Sequence, residues 1–353
     1  MWTRVGLASI EGMTNSHASQ QHAAFGRSLK QMSLGADDPI HWGCSMKGWN
    51  CCIDKGIVVR PYDMVRLRHA VSKPAHEITN ENTVTFAWHG PTGALVGSLG
   101  HVPYGEGHVA CSFYDEITNV SAARMREEDP ERFASMPLSV QRAADASAAN
   151  EYRVAGLCQA HQNRPEVCRA FPFQREISVD DAGVTTEHGM MRVNACGSCS
   201  LSTPTTPRQT VESEDIGEYW RAHDVFTSVT AYYRSRGAAK PDTELAQMVG
   251  YQALPISEVE LAELWGSMYL VDRDATVVEQ HAEQWLADLD IDGDRAIYLA
   301  VMAHALDRID AAVAASGLAL DQLGVPGQVP VLRPNIEWML DPSRPVLTLE
   351  AVA

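Results

Sequence analysis

Basic residues are scarce in this chain: 28 lysines and arginines stand against 45 aspartates and glutamates, a formal charge of −17 over 353 residues. Such a surface repels polyanions, which argues against nucleic acid and anionic membranes as general partners. Long hydrophobic runs are missing too. The longest, roughly residues 296–306, is broken by His304 and is too short to cross a bilayer. The opening stretch MWTRVGLASIEGMTNSHASQQ has no basic start followed by an apolar run of secretory length. These absences lead us to expect a cytoplasmic protein. There are no internal repeats, and the apolar share of 45% is ordinary for a chain that buries a real core.

Cysteine, by contrast, is plentiful and unevenly placed. Cys44, Cys51, Cys52, Cys111, Cys158, Cys168, Cys196 and Cys199 all precede residue 200. In a reducing compartment, eight thiols in a chain of this length point to metal ligation before a disulfide framework. Core cysteines usually sit among apolar neighbours, whereas these lie beside Gly, Asn, Ser, Gln and Arg. Cys196-Gly-Ser-Cys199 is a C-x-x-C step, which lets two sulfurs converge on one ion. Cys158 and Cys168 bracket a loop long enough to return to the same centre. Eight thiolates suffice for two four-thiolate sites, or for one with spare thiols.

Other readings of the cysteines are weaker. A zinc ribbon needs a second C-x-x-C step, and a redox pair lacks the strand–helix context of a thioredoxin-like site. A nucleophilic cysteine would need a histidine partner, and none of His41, His89, His101, His108 and His161 is singled out. The pair Cys51-Cys52 is expected to divide its labour, since adjacent residues in an extended segment face opposite sides. Cys52 is the expected ligand beside Cys44 and Cys168.

The patterning predicts an α+β chain in three parts. Residues 1–40 read as a partly ordered arm. Residues 41–202 read as an irregular, cysteine-rich metal-binding domain with short strands and a charged helical insertion over 121–150. Residues 203–353 read as a helical domain. TVTFAWHG alternates as a strand, EISVDDAGVTTEH reads as a hairpin, and IVVRPYDMVRLRHAV as a strand running into a helix with Pro61 in its first turn. The Ser/Thr/Pro stretch at 200–210 suits a linker. Four apolar stripes at helical spacing then follow: Tyr219 to Tyr233, Leu261 to Met268 with a Ser257/Glu260 capping box, Val278 to Leu289, and Tyr298 to Val313. They suggest a small bundle, with His281 as a core histidine. DLDIDGD (288–294) begins like a calcium loop, but Leu299 occupies the position of the bidentate Glu. Asp292 or Asp294 is better read as a helix cap.

LCQAHQNRPEVCRAFPF (157–173) resembles the signature of the YkgJ-like cysteine-cluster family, a zinc- or iron-chelating domain. Arg164-Pro165, Cys168-Arg169 and Phe171-Pro172 carry that likeness. CSMKGWNCC (44–52) is similar to the family's opening C-x-x-C-x-x-C-C. VVRPYDMVRL, CSFYDE at 111–116 and Cys196 extend the likeness over roughly residues 41–200. Lys47 stands where the family has its second cysteine, so a copied site lacks one ligand that Cys199 could replace. The family includes flagellin lysine N-methylases, which makes a cluster-dependent modifying enzyme with a protein substrate an alternative. No Gly-rich loop follows a strand to cradle S-adenosylmethionine. A zinc-stabilised interaction module with a protein partner is the other alternative.

Thiolates serve both zinc and iron–sulfur clusters. Lys47, Lys55, Arg153, Arg164, Arg169 and Arg192 thread among the cysteines of an otherwise acidic chain. Such cations stabilise the net negative charge of a thiolate centre. Arg164 and Arg169, inside the signature string, are the expected contacts to it. We expect an iron–sulfur cluster, otherwise zinc.

Overall fold

The computed structural model describes residues 32–44, 52–81, 83–90, 93–105, 107–136, 140–141, 144–145, 154–171, 173–179, 185–192, 199–240, 252–269 and 293–324. In chain order, β1 (Met32–Leu34) and β2 (Ile40–Cys44) are followed by β3 (Val58–Val59), α1 (Pro61–Val71) and α2 (Ala75–Asn80). Next come β4 (Val84–His89), β5 (Ala94–Leu99), β6 (His101–Tyr104), β7 (His108–Cys111), β8 (Tyr114–Thr118), α3 (Asn119–Glu128) and α4 (Pro130–Ser135). After β9 (Val154–Cys158), a 3-10 turn at His161–Asn163 leads to α5 (Glu166–Ala170), β10 (Phe173–Val179), β11 (Thr185–Arg192) and β12 (Cys199–Thr205). The rest is helical: α6 (Pro207–Ser213), α7 (Ile216–Ser235), α8 (Glu258–Gly266) and α9 (Gly293–Ser316), then a 3-10 turn at Leu320–Gln322.

This is a mixed fold of helices and short antiparallel sheets, compatible with α+β. The strands pair as β1–β11–β10, β12–β2, β3–β5–β4, β6–β7 and β8–β9. The expected strand at 84–89 pairs residue for residue with β5. The expected hairpin is β10 against β11, with one register shift after Glu176, and its turn lies outside the described residues. Met32–Leu34, at the end of the stretch expected to be an arm, forms β1 and pairs with β11.

One expectation is corrected. Residues 200–210 are not a linker: β12 runs to Thr205 against β2, and α6 begins at Pro207. The β-branched Ser/Thr run suits an extended strand. Thr206 and Gln209 then make a reciprocal capping box, with Pro207 at the position where its missing N–H costs nothing. Ser/Thr/Pro composition carries the same signature for a linker as for a strand meeting a capped helix.

The apolar stripes went where their spacing put them. Tyr219, Ala222, Phe226, Val229 and Tyr233 on α7 are buried, as are Tyr298, Met302, Leu306, Ile309 and Val313 on α9. Ser257 and Glu260 cap α8 as expected, and the 278–289 stripe lies outside the described residues. One buried cluster runs from Val59 to Leu323 and unites the β3–β5–β4 sheet with α1, α7, α8 and α9. It therefore contains residues from both sides of position 203. Tyr62 of α1 meets Tyr219 and Tyr298 edge-on, at 5.2 and 5.3 Å between centroids, and so ties three helices together. Gly97 is required where β3 crosses β5, since a Cβ there would lie 2.8 Å from the Val59 carbonyl oxygen.

Trp265 is fully buried, donates its indole N–H to the Ala238 carbonyl at 2.7 Å and stands edge-on to Tyr233. Trp265→Ala should cost about 3–5 kcal/mol of stability, read from urea denaturation. A loss below about 1 kcal/mol would contradict this placement.

Candidate metal centre

The strand register brings part of the cysteine set together. Cys44, the last residue of β2, lies directly opposite Cys199, the first residue of β12. Directly opposed residues on antiparallel strands share a face, with Cβ atoms about 4.5–5.5 Å apart. Cys196 and Cys51 lie outside the described residues, but each is joined by a short segment to this rung. Cys52 accepts the Cys111 N–H at its carbonyl, 2.9 Å away. Cys158 sits opposite Tyr114, three residues beyond Cys111. Cys168 is the third residue of α5. Five residues after Cys168, Phe173 pairs with Arg192, which precedes Cys196 by four. Successive rungs and short connections thus link the cysteine-bearing segments into one neighbourhood.

The side-chain environments differ. Cys52, Cys158 and Cys168 are partly buried. Cys111 is 5% exposed within the apolar cluster, and burial pushes its thiol above the ordinary range, which disfavours a thiolate. Among the described residues, no three His, Cys, Asp or Glu side chains converge closely enough to hold a metal ion. A complete donor set would therefore draw on the segments 45–51 and 193–198, which carry Cys51 and Cys196.

Helix α5, which carries Cys168, is held by a buried polar network. Asp63 is 2% exposed. Its carboxylate accepts the Arg60 N–H and the Glu166 N–H, each at 2.8 Å. Glu166 in turn pairs with the Arg60 guanidinium and accepts the Trp220 indole N–H at 2.8 Å. Nearby, Arg175 and Asp224 form an almost fully buried ion pair, and the Arg175 guanidinium lies 5.2 Å from the Trp220 ring centre. Arg60, Tyr62, Asp63, Glu166, Tyr219 and His223 line a cavity of about 10 Å³, roughly the space one water needs.

Arg164 and Arg169, expected to contact a bound centre, flank α5. Arg164 pairs with the Glu214 carboxylate and donates to the His161 carbonyl at 2.6 Å. Arg169 is 8% exposed. It donates to the Glu214 carbonyl at 2.7 Å and to the Gln162 carbonyl, and lies 5.0 Å from the Tyr219 ring centre. Its Nε is buried with no partner among the described residues. Of the histidines, His101 contacts the Lys55 carbonyl and His108 the Asp54 carboxylate. At the end of the calcium-like string, Asp294 lies in the first turn of α9 and binds Arg66 and His69 of α1.

Sequence reasoning missed Asp63, Glu166 and Trp220. A signal was present: Arg60-Pro61 and Arg164-Pro165 each precede a helix start, with an acid soon after. No family model, curated protein or solved structure matches the chain. No helix among the described residues is long and apolar enough to cross a membrane.

Burial raises the Asp63 carboxyl from 3.8 to about 6, against the pull of its two N–H donors and Arg60. The folded protein therefore keeps this proton to a higher pH than the unfolded chain does. The stabilisation is complete below about pH 3.8 and is lost as pH rises through about 6. Relative to Asp63→Asn, wild-type stability should fall by on the order of 1–3 kcal/mol across that window and stay level above it. Parallel stability–pH curves from denaturation would contradict the assignment.

Proposed function

We propose that this protein binds metal through cysteine thiolates and holds an iron–sulfur cluster, with zinc as the alternative occupant. The observation that carries the reading is the Cys44–Cys199 rung. It sets a member of the CSMKGWNCC string beside the end of the C-x-x-C step, where Cys199 can stand in for the ligand that Lys47 replaces. Cys44, Cys199, Cys196, Cys51 or Cys52, Cys158 and Cys168 supply the donors. Cys111, the most buried of the cysteines described, is the least suited. Three features support the reading: the adjacency of the cysteine-bearing segments, the cationic Arg164 and Arg169 beside Cys168, and the likeness of residues 41–200 to the YkgJ-like family. A cytoplasmic setting fits, because reducing conditions keep thiols available for metal.

A bound cluster would supply one-electron chemistry, whereas zinc would cross-link the strands. The chain's own residues place the thiols and surround them with positive charge. Arg164 and Arg169 lower the cost of gathering several thiolates in an acidic protein.

The full chain, purified without oxygen, should contain iron and acid-labile sulfide and show broad visible absorbance. A colourless protein with stoichiometric zinc would select the alternative. Cys44→Ser and Cys199→Ser should each lose most of the bound metal, while Cys111→Ser should retain it. A wild-type protein with neither metal, or full retention in both Cys44→Ser and Cys199→Ser, would overturn the proposal.

A further inference from the structure

His161 lies on the 3-10 turn between Cys158 and Cys168. Its Nε2 is 3.2 Å from the Arg164 guanidinium. A guanidinium has only donors to offer, so in this contact Nε2 accepts and the ring proton resides on Nδ1. Burial and the neighbouring Arg164 and Arg169 push the imidazole down to about 4, which keeps it neutral at ordinary pH. Nδ1 is buried and has no partner among the described residues. A buried N–H without an acceptor costs about 1–3 kcal/mol, so native structures supply one. Cys158 and Cys168 flank this donor in sequence, on either side of its turn.

We propose that His161 is a positioning residue of the thiolate centre, its Nε2 fixed by Arg164 and its Nδ1–H donated to a sulfur of that centre. This rests on the thiolate-metal reading given above. Such a donor withdraws electron density from the sulfur, which stabilises the reduced state of a cluster and tightens retention of either metal. His161 is thereby distinguished from a ligand, because the nitrogen that remains carries a proton rather than a lone pair.

The test uses the full chain in four forms: wild type, His161→Leu, His161→Asn and His161→Gln. Asn places an amide N–H near the Nδ1 position and Gln near Nε2. His161→Leu should lose metal to a chromophoric chelator about 10–100-fold faster than wild type, on the scale of lost hydrogen bonds around metal ligands. Any cluster potential should move to more negative values. His161→Asn should recover most of both properties, and His161→Gln should not. Where His161→Leu does not fold, the order of the Asn and Gln variants decides, and equal or reversed behaviour overturns the proposal. A metal-loaded wild type with an unchanged His161→Leu overturns the His161 role alone. A wild type without iron or zinc overturns the thiolate reading and this inference together.

Discussion

One carboxylate holds two helix starts. Asp63, in the first turn of α1, takes the N–H of Arg60 at that helix's entry and the N–H of Glu166 at the entry of α5. The first N–H groups of a helix have no partner within it, so a shared acceptor fixes both ends at once. Glu166 passes the constraint on through Arg60 and the Trp220 indole, which anchors α5 to α7. Cys168, Arg169 and the signature string have their places because α5 does. A buried charge is tolerable only when partnered, and each carboxylate oxygen of Asp63 and Glu166 accepts a hydrogen bond.

Much of the regular structure was legible because it follows from periodicity. Tyr219 to Tyr233 and Tyr298 to Val313 repeat at helical spacing and are buried; Val84–His89 alternates and forms a strand. Ser257 with Glu260 announced the start of α8, and Pro61 that of α1. What local pattern could not reveal was pairing at long range. That β2 lies against β12, more than 150 residues later, depends on the whole fold and is written in no local motif. The linker reading of 200–210 failed for the same reason, since a strand whose partner is distant looks like polar coil.

The candidate site was legible in its elements and less so in its supports. Cysteine positions and interleaved arginines can be counted in a sequence, but the partners of those arginines cannot. Arg169 spends two of its donors on backbone carbonyls and its face on Tyr219; Arg164 is committed to Glu214 and His161. They act first as braces for the segment that carries Cys168, and as nearby positive charge second. Tertiary context alone separates Cys111, sunk in the apolar cluster, from Cys52, Cys158 and Cys168, which keep some exposure.

The central claim concerns the atoms around a metal. X-ray absorption at the metal edge of the full chain, purified without oxygen, measures them without a substrate or a partner. The account predicts a first shell dominated by sulfur at about 2.3 Å. A shell of nitrogen and oxygen alone at about 2.0–2.2 Å would contradict it.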